Sequence, residues 1–169
     1  MEKEKLQQLI ELSDLLANSK NLNKALPIAS QKIKDIIDVD RVTVFIYSPE
    51  NNILWTYLAD GIDKLILPAD KGIVGYVVEH KTIKKVNDTS KEPLFYKEVD
   101  EITGYQTKSI LTLPLLGVNG DVIGVIQLLN KKDGKFNVKD INIANLFSNY
   151  VAPPLEMFLK KNPELRNSK

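Results

Sequence analysis

The chain has 169 residues, 43% of them hydrophobic and 27% charged, which is typical of one globular domain with enough length to bury a core. Its 23 basic and 22 acidic residues nearly cancel, so it lacks the basic excess with which proteins bind nucleic acid. The absence of cysteine excludes disulfides, thiolate metal sites and cysteine nucleophiles, and is consistent with a cytoplasmic protein.

The N-terminal segment is charged and continues into an amphipathic pattern, which argues against a signal peptide. No apolar run approaches the roughly 20 residues that a membrane-spanning helix needs, so we expect no membrane partner. Apolar residues at helical spacing predict an amphipathic helix over residues 1–20 and a second helix after it. We expect the second helix to begin near Asn23, because Pro27 is tolerated only close to a helix's first turn.

The pattern then changes from helical to extended. Residues 42–47 are β-branched or aromatic and predict a buried strand, with residues 53–58 as its hairpin partner. A helix over 73–80 lies between two short strand candidates, 64–67 and 83–86.

A second hairpin and a long helix complete the pattern. The hairpin pairs residues 109–116 with 122–130 and turns at Asn119-Gly120. Asn137 is a candidate N-cap for the final helix, with Asp140 three positions later in a capping-box arrangement. This helix has two apolar faces and therefore needs two packing partners.

Residues 87–108, which we call the lid, form the longest irregular stretch. Irregular segments of this length in compact domains are usually functional loops or disordered. Phe95, Tyr96 and Tyr105 favour burial, so we predict an ordered lid that contains a short helix.

These elements predict an α+β domain with a central antiparallel sheet of about six strands. The N- and C-terminal helices are expected on one face of the sheet and the lid on the other. The predicted division is an amphipathic helix over 1–20, the main domain over 21–158 and a polar tail over 159–169.

The residue inventory indicates no catalytic residues, no metal site and no covalently bound cofactor. The one histidine, His80, cannot form a zinc site in a chain without cysteine, and it is more typical of a capping or surface residue. No serine elbow, phosphate loop or dinucleotide fingerprint is present.

Polar side chains in the lid are candidates for ligand contacts. Asp100, Thr103 and Thr107 are spaced by three and four residues, so a helical turn would place them on one side. There they could contact a sugar or a phosphate. The alternative is loop capping, which the residue types alone favour.

Three further polar residues lie on predicted strands. Gln127 interrupts an apolar strand, and its amide needs a partner that is either another side chain or the edge of a ligand base. Arg41 and Thr43 are two apart and therefore share a face. Alternatively, Arg41 caps the preceding helix with Asp38 and Asp40 as partners.

Four segments together resemble a GAF domain, the PAS-related fold named for phosphodiesterases, adenylyl cyclases and the formate hydrogenlyase activator. They are PADKGIVG at 68–75, PLFY at 93–96, VDEITGYQT at 99–107 and GVIQLLNK at 124–131. The resemblance is to the tandem GAF domains of cyclic-nucleotide phosphodiesterases and adenylyl cyclases, and it spans roughly residues 20–158. It implies a non-catalytic sensor that encloses a cyclic nucleotide between sheet and lid.

The resemblance also assigns roles by position. Thr43 would lie beneath the base, Ile73 and Val74 would offer backbone N–H groups to the cyclic phosphate, and Gln127 would contact the base. The lid side would be lined by Asp100, Thr103 and Thr107. The pair Arg41 and Thr43 is similar to one that faces adenine in the cyclase branch, which slightly favours cAMP over cGMP.

A second part of the resemblance concerns the pocket wall. The family's signature corresponds here to Asn130, Lys131, Phe136 and Asp140, with an ion pair between Lys131 and Asp140. Ile141 stands where the family has a second acid. An aromatic contact to the base would come from Trp55 or Tyr57, although both could simply pack.

The expected partners are a small ligand, a second copy of the chain bound through the terminal helices, and an output domain or partner protein outside this chain. A different interpretation is a GAF scaffold that binds no nucleotide and serves dimerisation or protein interaction, or that binds another small ligand. Catalysis of the kind found in GAF-fold methionine sulfoxide reductases needs cysteines, and the chain has none.

Overall fold

A computed structural model describes residues 2–59 and 64–166, and its elements follow the predicted order. The helices are α1 (Glu2–Asn18), α2 (Leu22–Ile37), α3 (Gly72–His80), α4 (Glu98–Thr103) and α5 (Val138–Lys161). The strands are β1 (Val39–Ser48), β2 (Ile53–Ala59), β3 (Ile66–Pro68), β4 (Lys84–Val86), β5 (Ile110–Leu116) and β6 (Val122–Lys131). Short 3-10 turns lie at Thr89–Lys91 and Pro163–Leu165.

The strands form one six-stranded antiparallel sheet in the order β3-β2-β1-β6-β5-β4. This confirms the predicted α+β architecture. The two longest strands, β1 and β6, pair at the centre, and the edge strands β3 and β4 have three residues each. Such short edges leave little unpaired backbone on which another chain could add.

The two faces of the sheet are covered differently. Helices α1, α2 and α5 pack on one another and on the face that includes Val42, Val44 and Ile126. The opposite face includes Phe45 and Val125, and α3 and the lid cover it. Because side chains alternate along a strand, each central strand contributes to both layers.

The helix boundaries follow the sequence closely, with one difference at the start of α2. Helix α2 begins at Leu22, one residue before the expected start, and includes Pro27 in its second turn. Helix α5 has the predicted capping box, in which Asn137 Oδ1 accepts from the Asp140 N–H at 2.9 Å and the Asp140 carboxylate accepts from the Asn137 N–H at 3.0 Å.

The segment expected to be a polar tail, residues 159–169, is packed as far as it is described. Helix α5 continues to Lys161, and Leu159 is buried. The Trp55 indole N–H donates to the Leu165 carbonyl at 3.1 Å, and Arg166 Nε donates to the Tyr47 carbonyl at 3.3 Å. The apolar Leu159 and these backbone acceptors hold the segment against the sheet.

A buried ion pair joins the end of β6 to the start of α5. Lys131 Nζ lies 3.2 Å from Asp140 Oδ1, with the two side chains 12% and 6% exposed. Lys131 also donates to the Ile37 carbonyl at the end of α2. One lysine therefore links three elements, and the pair predicted between Lys131 and Asp140 is present.

We expect Asp140→Asn to lower the free energy of unfolding by about 3 kcal/mol, because it leaves the Lys131 ammonium buried without a counter-charge. Urea denaturation measures this. Asp14→Asn, on an exposed site of α1, is the matched control and should change stability by less than about 0.5 kcal/mol. Equal effects of the two variants would contradict a stabilising role for the ion pair.

Candidate functional site

A cavity lies between the sheet and its cover of lid and α3. It is lined by all eight residues that the sequence nominated for ligand contact, namely Arg41, Thr43, Ile73, Val74, Asp100, Thr103, Thr107 and Gln127. The folded chain thus brings together residues that are up to 86 positions apart in sequence, from 41 to 127.

The floor of the cavity, by which we mean Arg41, Thr43 and Gln127, is formed by β1 and β6. Thr43 pairs directly with Gln127 across these strands, and Arg41 pairs with Leu129. All of these side chains fall on the lid-facing side, because they are spaced by two along their strands. The predicted common face of Gln127, Val125 and Leu129 is the one observed.

The floor presents polar atoms that lack partners within the described residues. The Thr43 hydroxyl makes no hydrogen bond there, and the Arg41 guanidinium makes neither a hydrogen bond nor an ion pair. Gln127 donates from Nε2 to Thr112 Oγ1 at 3.2 Å, whereas its Oε1 accepts no hydrogen bond from the residues that the structure describes. Unpaired polar atoms facing one cavity are typical of a site that completes its hydrogen bonds with a ligand or water.

Arg41 does not cap α2, which was the alternative role considered for it. Its guanidinium lies over the Tyr105 ring at 3.8 Å from the centroid. The Asp40 carboxylate instead accepts a hydrogen bond from the Tyr105 hydroxyl at 2.6 Å. Tyr105 thereby separates the arginine from the neighbouring acid.

The start of α3 also faces the cavity. No side chain caps this helix at Lys71, and Ile73 and Val74 lie in its first turn, where N–H groups have no intrahelical acceptor. Gly72 has φ +71°, and a Cβ there would lie 2.8 Å from the Cβ of Tyr96 in the lid. Glycine therefore permits both the turn and the close approach of the lid.

The polar residues of the lid satisfy one another. The Asp100 carboxylate accepts from the Thr107 N–H at 2.8 Å and from its hydroxyl at 2.6 Å. Thr103 donates to the Val99 carbonyl at 2.9 Å. Helix α4 ends at Thr103 and the chain turns at Gly104, so the prediction that Thr107 shares a helical side with the others is wrong. These bonds support the loop-capping role.

Asn130 anchors the C-terminal end of the lid. Its Oδ1 accepts from the N–H groups of Lys108 at 2.6 Å and Ser109 at 3.1 Å. Its Nδ2 donates to the Gln106 carbonyl and to the Tyr105 hydroxyl, both at 2.9 Å. Burial, and next the hydrogen bond to Asp40, raises the pKa of Tyr105 above its ordinary value of 10.0. The hydroxyl therefore stays protonated at neutral pH.

Comparison with known proteins identifies the family. The family model described as the GAF domain matches residues 21–153. This chain is a GAF domain. The matched residues make up most of the chain and include every residue that lines the cavity.

Two curated relatives of the GAF domain are cyclic phosphodiesterases by name. The probable 3′,5′-cyclic phosphodiesterase pde-5 of Caenorhabditis elegans is 30% identical over 129 residues, which cover 68% of this chain and 18% of the relative. The rod cGMP-specific 3′,5′-cyclic phosphodiesterase subunit alpha of Bos taurus is 31% identical over 140 residues, which cover 69% of this chain and 16% of the relative. The chain thus spans less than a fifth of either relative.

Solved structures show the same fold at low identity. The GAF domain of a phosphoenolpyruvate-protein phosphotransferase from Coxiella burnetii superposes with a TM-score of 0.84 at 16% identity, covering 94% of this chain and 96% of that one. A free methionine-R-sulfoxide reductase from Neisseria meningitidis superposes with a TM-score of 0.76 at 15% identity. The superposition covers 90% of this chain and 88% of the reductase. The fold therefore accommodates different functions, and the residues of the cavity must decide between them.

The aromatic residues of this GAF domain's cavity differ from those considered in the sequence. Trp55 packs in the helix-side core, and the Tyr57 ring lies 5.6 Å from that of Phe158, so both pack instead of lining the cavity. Phe45, Phe95 and Tyr96 line it instead. Phe45 could have been found from the sequence, since it continues the alternation that places Thr43 on the floor.

The remaining predicted positions are structural or at the surface. Phe136 is buried, and its N–H donates to Asn87 Oδ1 at 3.0 Å, which ties the start of the lid to the β6–α5 connection. His80 is half exposed beside Glu79, and its ring packs at a tilt against that of Tyr76. Within residues 2–59 and 64–166, no cluster of three metal-ligating side chains occurs, and no helix is long and apolar enough to cross a bilayer.

We expect Thr107→Val to loosen the lid, because it removes a hydrogen bond to the Asp100 carboxylate that contributes roughly 1.5–3 kcal/mol. Amide exchange at residues 98–107 should accelerate about tenfold or more, while the free energy of global unfolding changes little. Mass-spectrometric hydrogen exchange measures this. Thr82→Val, at an exposed position, is the control. A fall in global stability without faster lid exchange would contradict this role.

Proposed function

We propose that this GAF domain is a non-catalytic sensor that binds a cyclic nucleotide between sheet and lid, with cAMP preferred over cGMP. The main support for this proposal comes from the floor of the cavity. There the Thr43 hydroxyl, the Arg41 guanidinium and the Gln127 amide oxygen lack hydrogen-bond partners within the described residues. A ligand that takes these polar groups out of water without pairing with them costs free energy, so this floor favours a polar ligand over an apolar one.

The parts of a cyclic nucleotide match different parts of the cavity. Its phosphate suits the first turn of α3, because the amides of Ile73 and Val74 and the helix dipole favour an anion. Its base suits the floor, where Thr43 and Gln127 can hydrogen-bond and Arg41 can stack. The phosphodiesterase names of the curated relatives support the same ligand class.

The preference for cAMP rests on Arg41 beside Thr43, which are similar to the pair that faces adenine in the cyclase branch. The amide of Gln127 can contact a base of either kind, because a half-turn about its terminal torsion presents either a donor or an acceptor.

Ligand entry requires the lid to move. The cavity measures about 70 Å³, whereas small-molecule sites typically measure roughly 300–1,000 Å³. The bonds from Tyr105 to Asp40 and Asn130 must therefore yield or rearrange as a nucleotide enters. A ligand that binds one lid position better than the other shifts the balance between them, which is the basis of sensing.

A path for the signal leads from the lid to the terminal helices. Asn130 holds the lid, and the next residue, Lys131, bonds to Asp140 in the first turn of α5 and to the end of α2. We propose that occupancy is relayed through these helices to an output domain or partner outside this chain. The cysteine-free composition supports a cytoplasmic setting.

Exposed apolar side chains on the terminal helices support a homodimer. Leu6 and Ile10 on α1 are 59% and 48% exposed, and Leu146 and Met157 on α5 are 41% and 61% exposed. Leu6 and Ile10 are four residues apart and therefore lie on one side of α1, and an exposed apolar strip of this kind favours an interface. The same observation favours the second candidate function, a dimerising scaffold that binds no nucleotide.

We expect the domain, after removal of any bound ligand, to bind cAMP with micromolar or tighter affinity and cGMP more weakly. Thr43→Val and Gln127→Leu should each weaken cAMP binding about tenfold, since each removes one hydrogen bond. Calorimetric titration measures both, and Thr82→Val is the unaffected control. If folded protein gives no heat with either nucleotide, the proposed ligand class is wrong and the scaffold function remains.

We expect light scattering to give the mass of a dimer, and the double variant Ile10→Glu with Met157→Glu to give that of a monomer, because a buried carboxylate would oppose pairing. Ile66→Glu on the edge strand β3, which is 46% exposed, is the control and should remain dimeric. A monomer in the wild type at high concentration would overturn the proposed dimer.

A further inference from the structure

One tyrosine of the lid contacts two neighbouring residues of opposite charge on β1. The Cζ atom of Arg41 lies 3.8 Å from the centroid of the Tyr105 ring. The hydroxyl of the same tyrosine donates to the Asp40 carboxylate at 2.6 Å. Because Asp40 and Arg41 are adjacent in the chain, the acid and the guanidinium are within reach of each other, and Tyr105 stands between them.

Two hydrogen bonds fix the position of the Tyr105 hydroxyl, and the direction of each is determined. A carboxylate can only accept, so the hydroxyl donates to Asp40. The Asn130 amide is oriented by the backbone: its Oδ1 accepts from two N–H groups, which leaves Nδ2 to donate to the Tyr105 hydroxyl at 2.9 Å. The ring that covers Arg41 is therefore held from the sheet on two sides.

Arg41 has an alternative partner that Tyr105 occupies. The guanidinium lines the cavity and makes no hydrogen bond or ion pair with the residues that the structure describes. The neighbouring acid, Asp40, is exposed and bonded to the tyrosine. A pair of arginine and aspartate at such a site is favourable, although only by a small amount. The contact with Tyr105 thus competes with an ion pair between the two adjacent residues.

We propose that Tyr105 is a positioning residue that keeps the Arg41 guanidinium at the cavity by occupying Asp40. With the tyrosine in place, the arginine lies against the ring and is available to a ligand. When the tyrosine withdraws as the lid opens, Asp40 takes up Arg41 instead and draws the guanidinium away from the site. One exchange of partners at Asp40 therefore couples the position of the lid to the availability of the arginine.

This inference rests on the proposed function, in which Arg41 contacts the base, and adds the regulation of that contact. A tyrosine that only anchored the lid would behave differently, because its loss would loosen the lid whatever residue stood at position 40. If Tyr105 acts through Arg41, removal of the competing acid must recover part of what the loss of the tyrosine costs. The sign of the effect of the second substitution separates the two roles.

The first test needs no ligand and uses the side-chain Nε–H signals of arginine in the NMR spectrum. The chain has two arginines, and Arg166, whose Nε–H donates to a backbone carbonyl, is the internal reference. We expect the Arg41 proton to lie upfield in the wild type, because the guanidinium lies over an aromatic face. In Tyr105→Leu it should move downfield as it bonds to the carboxylate. Adding Asp40→Asn should reverse most of that shift, since a neutral amide holds a guanidinium less strongly.

The second test is calorimetric titration of the ligand-free domain with cAMP. We expect Tyr105→Leu to weaken binding about tenfold, because the arginine loses its stacking partner and turns to the acid. Adding Asp40→Asn should recover about threefold of this loss. Glu101→Gln is the matched control: it removes an exposed acid from the lid itself and should recover nothing in the Tyr105→Leu background.

Tyr105→Phe serves where a melting curve shows that the leucine variant is poorly folded, because phenylalanine fills nearly the same space. It frees Asp40 as well, so the Arg41 signal should again move downfield and return when Asp40→Asn is added. If this signal moves downfield in neither variant, Asp40 does not take up the arginine and the inference is overturned, whatever the result with cAMP.

The titration distinguishes this inference from the function on which it depends. If Tyr105→Leu weakens cAMP binding and Asp40→Asn recovers none of the loss, Tyr105 only anchors the lid, and the inference is overturned while the sensor function stands. If the spectra change as expected but the folded wild type binds no cAMP, the exchange of partners at Asp40 is upheld and the proposed ligand class is wrong.

Discussion

The antiparallel pairing of β1 with β6 determines which side chains face the helices and which face the cavity. Seven residue pairs join these strands, from Val39 with Lys131 to Ile46 with Gly124. Because alternate side chains point to opposite faces, one register determines both the packing of the helices and the floor of the cavity. A slip of one residue would exchange Thr43 and Gln127 for apolar neighbours such as Val44 and Ile126. Burial of the apolar set beneath the helices therefore also keeps the polar set under the lid.

The end of β6 joins the two layers. Asn130 has a left-handed backbone, with φ 61°, and its side chain holds four groups of the lid and the strand that follows it. Lys131, the next residue, is bonded to α2 and α5. Two adjacent side chains thus hold opposite sides of the sheet. This pair is the route by which the proposed relay would connect the lid to the terminal helices.

The floor and the lid of the cavity use their polar side chains differently. The floor offers polar atoms without partners within the described residues, which suits recognition, whereas Asp100, Thr103 and Thr107 use their polar atoms to hold the lid together. Variants on the floor are therefore informative about ligand identity, and variants in the lid about opening. The fold alone does not separate these roles, since a sulfoxide reductase and a phosphotransferase GAF domain share it. Differences in the atoms that face the cavity must account for differences in function.

The sequence by itself determined the order and type of the elements, the capping box at Asn137 and the face of Gln127, and it nominated eight of the residues that line the cavity. These follow from periodicity, short-range cap geometry and the resemblance of spaced motifs. Only the tertiary structure decided the hydrogen bonds between residues far apart in the chain: Tyr105 with Asp40 at a separation of 65 residues, and Trp55 with Leu165 at 110. It also decided that the Arg41 guanidinium lies over the Tyr105 ring and that the Gln127 amide bonds to Thr112. Local patterns specify where a side chain points, but the partner it meets depends on the packing of distant elements.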